Sequence, residues 1–138
     1  MIEEIPSDAL GQVFTPEPVV RAMLRLRRRS GRILEPACGD GAFLRHLEAG
    51  ALACELDPRV CPPQARCLDF FALPEHETFA TIIGNPPYVR RRDVLPETAA
   101  RLESRLLDGH ANLYLHFIEK AVRHLEPGGE LIFITPRD

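Results

Sequence analysis

The segment from Phe79 to Tyr88 constrains the fold more than any other stretch of this sequence. Phe79 to Ile83 is a run of strand type, and Gly84-Asn85-Pro86-Pro87 ends it, because neither proline can donate to a sheet ladder. The theme recurs along the chain, where short β-type runs alternate with amphipathic stretches. Arg32 to Glu35, Ala51 to Glu55, Ala65 to Leu68 and Leu131 to Thr135 read as the other strands. A first helix is expected with Thr15 as N-cap and Pro16 in its first turn, with Val19, Val20, Met23 and Leu24 supplying its apolar face. A second, carrying Phe43, Leu44 and Leu47, should follow the turn through Gly39 and Gly41, and two more are expected over Pro96 to Leu107 and Asn112 to Leu125. The link from Pro58 to Arg66 is broken by Pro62-Pro63 and has room for one helical turn, while Pro127-Gly128-Gly129 should turn the chain into its last strand. Strands alternating with crossover helices specify an α/β fold. Its sheet should be open and mostly parallel, with helices on both faces and ligands beyond the carboxyl ends of the strands.

At 138 residues, with 45% hydrophobic and 27% charged residues and a mean hydropathy of −0.12, the chain has the makeup of one ordinary globular domain over residues 1–138. No apolar run approaches the roughly 20 residues of a membrane span. The acidic start, Met1 to Pro6, lacks the basic and apolar regions of a secretory signal, so no membrane partner and a cytoplasmic location are expected. Cys38, Cys54, Cys61 and Cys67 include no C-x2-C pair, and no histidine pair stands at ligand spacing from them. No metal is expected, and Cys38 and Cys54 read as small core residues in a reducing compartment. The net charge of −3 does not announce a nucleic-acid binder. Local cation clusters exist at Arg25, Arg27, Arg28 and Arg29, read chiefly as a solvated face, and at Arg90, Arg91 and Arg92.

Polar features stand directly after the first four strands. After the first comes Glu35-Pro36-Ala37-Cys38-Gly39-Asp40-Gly41, whose glycines let backbone approach a ligand closely. Leu44 occupies the position of the third glycine of a G-x-G-x-x-G fingerprint, which disfavours a nicotinamide cofactor. The second strand ends at Glu55, a carboxylate suited to accept both hydroxyls of a ribose. Asp69 with Phe70 and Phe71 follows the third, and an acceptor beside an aromatic face suits an adenine ring, although the phenylalanines read equally as core.

Asn85-Pro86-Pro87-Tyr88, after the fourth strand, carries the most specific chemistry. The lone pair of an adenine amino group is delocalised into the ring, so methylation requires the nitrogen to be drawn toward tetrahedral geometry. The Asn85 side-chain oxygen and the Pro86 carbonyl can each accept one of its N–H groups, with the prolines holding the backbone rigid. Tyr88 offers a face on which a base flipped out of the duplex stacks. No strong general base is needed, since the nitrogen becomes acidic as it gains the methyl group.

Gly11-Gln12-Val13-Phe14-Thr15-Pro16, Glu35-Pro36-Ala37-Cys38-Gly39-Asp40-Gly41, Glu55-Leu56-Asp57-Pro58, Asp69-Phe70 and Gly84-Asn85-Pro86-Pro87-Tyr88, in this order, together resemble the gamma-group adenine-N6 DNA methyltransferases of restriction-modification systems. Ala111-Asn112-Leu113-Tyr114 and Glu126-Pro127-Gly128-Gly129 through Phe133 extend the resemblance over nearly the whole chain. It implies a Rossmann-like class I methyltransferase fold, S-adenosylmethionine as cofactor and double-stranded DNA with a flipped adenine as partner. By position, Thr15 and the turn holding Glu35, Ala37, Cys38, Gly39 and Gly41 would serve the methionine moiety of the cofactor. Glu55 would hold its ribose and Asp69 with Phe70 its adenine, while Asn85, Pro86, Pro87 and Tyr88 would form the target site.

The chain stops just after the fifth strand, whereas such domains have seven strands, a later aromatic that sandwiches the base, and a target-recognition domain. A partial domain is therefore expected, as a fragment, a truncated product or half of a split enzyme. Recognition would come from a further domain or subunit, and transfer to DNA by the chain alone would be poor. Three other readings stay open: protein glutamine-N5 methylation, which shares the Asn-Pro-Pro-Tyr chemistry, RNA methylation, and a non-catalytic module. Phe14-Thr15-Pro16 and the Glu35-Pro36-Ala37-Cys38 form of the turn favour the DNA enzymes over the protein methylases.

Overall fold

The computed structural model describes residues 14–137; Gly11 to Val13 and the acidic start lie outside the described residues. In chain order the elements are α1 (Glu17–Leu24), β1 (Ile33–Glu35), β2 (Leu52–Glu55), β3 (Arg66–Cys67), β4 (Phe79–Gly84), α2 (Pro96–Arg101), α3 (Leu113–Arg123) and β5 (Leu125–Phe133). The strands form one parallel sheet in the order β3-β2-β1-β4-β5. The chain steps outward from β1 through β2 to β3, then returns to the other side of β1 for β4. Connections leave β1 and β4 in opposite directions, which opens a crevice at their carboxyl ends.

Why the sheet is covered on both sides follows from the two-residue period of its strands. Leu34 and Ile82 are partners across β1 and β4, and both are buried in a cluster with Leu113, Phe117 and Ala121 of α3. Their neighbours Ile33 and Ile83 belong instead to a cluster with Val20 and Met23 of α1. Every residue of β1, β2 and β4 is buried, as expected of parallel strands with helices on each face. Each such aliphatic side chain contributes roughly 1.5–3 kcal/mol. Packing of this kind, rather than propensity, stabilises a helix as short as the eight residues of α1.

Several local expectations are corrected. Thr15 does not cap α1; Pro16 stands at the cap, and the Thr15 hydroxyl is engaged elsewhere. The turn through Gly39 and Gly41 leads only to a 3-10 turn at Leu44–His46, because the next strand already starts at Leu52. Phe43 is nevertheless buried as the periodicity implied. Helix α2 ends at Arg101, well before Leu107, where the Ser104 hydroxyl accepts the N–H groups of Leu106 and Leu107 and starts a turn. Pro127-Gly128-Gly129 lies inside β5 as a bulge: Leu125 pairs with Phe79, and pairing resumes at Glu130 with Thr81. A side chain at Gly129 would come within 2.9 Å of the Glu126 carbonyl and 3.1 Å of the Phe79 carbonyl, so this bulge needs glycine.

Candidate active site

A cleft of about 740 Å³, its open side included, lies beyond the carboxyl ends of β1, β2 and β4. On its β1–β2 side the sequence supplies a turn and a carboxylate that lock each other. Cys38 donates its backbone N–H to the Cys54 carbonyl at 2.9 Å, which ties the turn to β2. Gly39 donates its N–H to Glu55 Oε1 and Asp57 donates to Glu55 Oε2, each at 2.8 Å. The carboxylate of Glu55 is thus fixed at the wall of the cleft, with Ala37, Gly39 and Leu56 around it.

Asp69 is held as firmly. Its Oδ1 accepts from Phe71 N–H at 3.0 Å, capping the 3-10 turn Phe70–Ala72. Its Oδ2 accepts from the Thr98 hydroxyl at 2.8 Å and from Arg101 at 3.0 Å. Thr98 and Arg101 stand three residues apart on α2, so one face of that helix closes over Asp69. Phe70 lines the cleft but is only 2% exposed and stacks on Phe117, with ring centroids 5.1 Å apart. Phe71, half-buried and edge-on to Phe117, is the more accessible ring.

On the β4 side, Asn85 and Pro87 line the same cleft, Pro86 is buried, and Tyr88 is 46% exposed. Asn85 donates through Nδ2 to the Thr15 hydroxyl at 3.1 Å, a contact across 70 residues. Thr15 therefore meets Asn85, the residue that the resemblance assigns to the target base, while the resemblance assigns Thr15 itself to the cofactor.

Of the expected cofactor residues, Ala37, Gly39, Glu55, Asp69 and Phe70 line the cleft, while Thr15, Glu35, Cys38 and Gly41 do not. Gly41 borders a separate hollow with Asp40, Leu44 and Pro62. Cys38 is buried, and desolvation pushes its thiol far up, which suits an inert core residue. Burial likewise holds Cys54 at about 12. Glu35 is buried with Oε2 unpartnered, and burial, followed by the nearby charge of Glu55, holds its carboxyl well above 4.5. Among the described residues no group of His, Cys, Asp and Glu could hold a metal, and no helix is long and apolar enough to cross a membrane. In the first arginine cluster, Arg27 pairs with Glu48, and the backbone N–H groups of Arg28 and Arg29 donate to Glu130.

Thr98, Arg101, Val94 and Leu95 were missed from the sequence. Thr98 and Arg101 share a face of α2, and Val94 and Leu95 precede it, but nothing local to these residues names Asp69, 29 residues before Thr98, as a partner.

The Eco57I restriction-modification methylase family matches residues 63–138. The chain is 39% identical, over 93% of its length, to the type II methyltransferase M.TthHB8I of Thermus thermophilus, and covers 35% of that protein. To M.HincII of Haemophilus influenzae it is 31% identical over 98% of its length, covering 29% of that enzyme. The chain thus spans about a third of the length of these relatives. Among solved structures it resembles a Listeria monocytogenes protein described as a class I S-adenosylmethionine-dependent methyltransferase. The TM-score is 0.62 at 21% identity, over 98% of this chain and 49% of that one. It also resembles a chain of a type I restriction-modification system, with a TM-score of 0.60 at 16% identity, over 83% of this chain and 30% of that one. These likenesses identify the five-stranded sheet as that of the Rossmann-like class I methyltransferase fold.

Proposed function

The chain belongs to the Eco57I restriction-modification methylase family, and on that premise we propose that the protein transfers a methyl group from S-adenosylmethionine to N6 of a flipped adenine in DNA. One observation carries the reading. Asn85-Pro86-Pro87-Tyr88 leaves β4 at the reversal of strand order, and Asn85 and Pro87 share a single cleft with Glu55, Asp69 and Phe71.

The donor set fits the cofactor. Gly39, in a left-handed turn conformation at φ 55°, borders the cleft, and a side chain built there would meet no neighbouring atom. Bare backbone is thereby presented to a ligand. Glu55 supplies acceptors for ribose hydroxyls, and Phe71, Leu56 and Val94 supply apolar surface for a purine. When bound, S-adenosylmethionine supplies an electrophilic methyl group.

This chain's own residues do the positioning. The Asn85 amide nitrogen donates to Thr15, and its side-chain oxygen is the acceptor proposed for one N6 proton. The Pro86 carbonyl accepts the other, and Tyr88 stacks on the base. Two aimed acceptors shift electron density toward the nitrogen as it attacks, and their rigidity spares reorganisation during the reaction. Arg90, Arg91 and Arg92, directly after this loop, supply cations for a phosphate backbone.

The test is methylation of duplex DNA by the protein expressed from its complete reading frame, using labelled S-adenosylmethionine, followed by digestion to nucleosides. N6-methyldeoxyadenosine is the expected product. Label in cytosine, in RNA, in protein glutamine, or in nothing overturns the proposal.

A further inference from the structure

We propose that Asn112 and Tyr114, at the start of α3, are positioning residues that set the plane of the Tyr88 ring, so that the target base stacks on the Tyr88 face turned away from Tyr114. The inference rests on the reading of Asn85–Tyr88 as the target-base site.

Three contacts join α3 to the residues that follow Pro87. Val89 donates its N–H to Asn112 Oδ1 at 3.1 Å. Leu113 donates its N–H to the Val89 carbonyl at 2.8 Å. The rings of Tyr88 and Tyr114 lie 5.3 Å apart between centroids, with 36° between their planes. Asn112 Oδ1 also accepts from Tyr114 N–H at 3.3 Å, so one side-chain oxygen caps the helix and anchors the residue after Tyr88. The support is rooted in the core, whereas the Tyr88 ring is exposed. Leu113 and Phe117 root α3 in the main core, whereas Tyr88 is 46% exposed and follows two prolines that join no ladder.

The ring separation decides what Tyr114 does. A planar base held between two rings needs about 7 Å, two contact distances of about 3.5 Å each. At 5.3 Å, Tyr88 and Tyr114 admit no base between them. Tyr114 is therefore the backing of Tyr88 and not the second slice of a sandwich. A tilted aromatic pair of this kind restricts Tyr88 by up to about ten-fold in population, without itself touching the base.

The experiment compares the unsubstituted protein with Tyr88→Ala, Tyr114→Ala, Tyr114→Leu and Tyr114→Phe. It measures kcat and KM for DNA, the Kd for S-adenosylmethionine, and the emission of 2-aminopurine placed at the target position. Tyr114→Ala is expected to lower kcat/KM for DNA by about ten-fold. It should move 2-aminopurine emission toward the Tyr88→Ala value while leaving cofactor Kd within about two-fold, and Tyr114→Phe should recover most of the loss. Should Tyr114→Ala fold poorly, Tyr114→Leu, which keeps bulk and removes the ring, is expected to give the same pattern. If Tyr88→Ala changes transfer and emission but neither Tyr114→Ala nor Tyr114→Leu does, the backing role is overturned and the target site stands. Loss of cofactor affinity with unchanged emission also overturns it, leaving Tyr114 a structural residue. If Tyr88→Ala itself changes neither transfer nor emission, the target-site reading falls and takes the inference with it.

Discussion

The two walls of the cleft are built differently. On the β1–β2 side, Glu55 and Asp69 are buried, and both oxygens of each carboxylate already accept hydrogen bonds from Gly39 and Asp57, or from Phe71, Thr98 and Arg101. On the β4 side, Asn85 and Tyr88 are half-buried or exposed; Thr15 holds Asn85, Tyr114 packs on Tyr88, and Asn112 holds the next residue, Val89. The first wall is part of the folded core, so its acceptors are preorganised whether or not a ligand is present. The second is a loop held at a few points, so its geometry can be altered with little cost in stability. Substitutions should therefore separate: those on the first wall should destabilise the fold, and those on the second should mainly slow transfer.

The largest expected effect is on the second wall. Asn85→Ala should lower kcat for DNA methylation by about 10²–10³-fold, the scale for one aimed hydrogen-bonding group, while the melting temperature stays within about 2 °C. Steady-state kinetics with thermal denaturation check both halves, and a large drop in melting temperature would break the contrast. On the first wall, Asp69→Asn should cost about 2 kcal/mol of stability by weakening the bonds to Thr98 and Arg101. The half-exposed Arg101 keeps the figure from being larger. Denaturant unfolding measures it, and an unchanged midpoint would show that α2 does not depend on Asp69.

Glu55→Gln should destabilise the fold, since its NH2 group meets the N–H of Gly39 or Asp57. It should also raise the Kd for S-adenosylmethionine by about ten-fold, about 1.4 kcal/mol, the neutral amide being a weaker acceptor toward the ribose. Calorimetry reads this directly, and unchanged affinity would remove Glu55 from the cofactor site.

The smallest effect concerns pH. Burial, with the charge of Glu55, holds Glu35 well above 4.5, so the folded chain binds that proton more tightly than the unfolded one. Its contribution to stability is full below pH 4.5 and is lost as pH rises through the raised value. Burial holds His116 and His124 below 6.5, so their contribution is present above that pH and is lost as pH falls through their folded values. Glu35→Gln should flatten the decline of melting temperature toward high pH and leave the acid limb unchanged. Equal curves for both proteins between pH 4 and 9 would show that Glu35 is not the group responsible (~1 °C resolution suffices).

Much of this architecture was legible in the residues. Local rules suffice for β1, β2, β4 and α3, because apolar periodicity and proline's missing donor act within a few positions. The same rules placed the strand ends, where acceptor chemistry and the family resemblance pointed to Ala37, Gly39, Glu55, Asp69, Phe70, Asn85 and Pro87, which share the cleft because strand-end turns in a parallel sheet converge at one edge. They misjudged the helix after Gly41, the length of α2 and the role of Pro127-Gly128-Gly129. In each case the distance to the next strand, a Ser104 turn or the register against β4 overrode propensity.

The resemblance to the adenine-N6 enzymes and the class of fold were thus written in the linear order of residues. Which atoms hold Asp69, what Thr15 touches and what stands behind Tyr88 were not. The contacts of Asp69 with α2, of Thr15 with Asn85 and of Tyr88 with Tyr114 join residues 26 to 70 positions apart, and such pairs meet only when the sheet and its helices have packed.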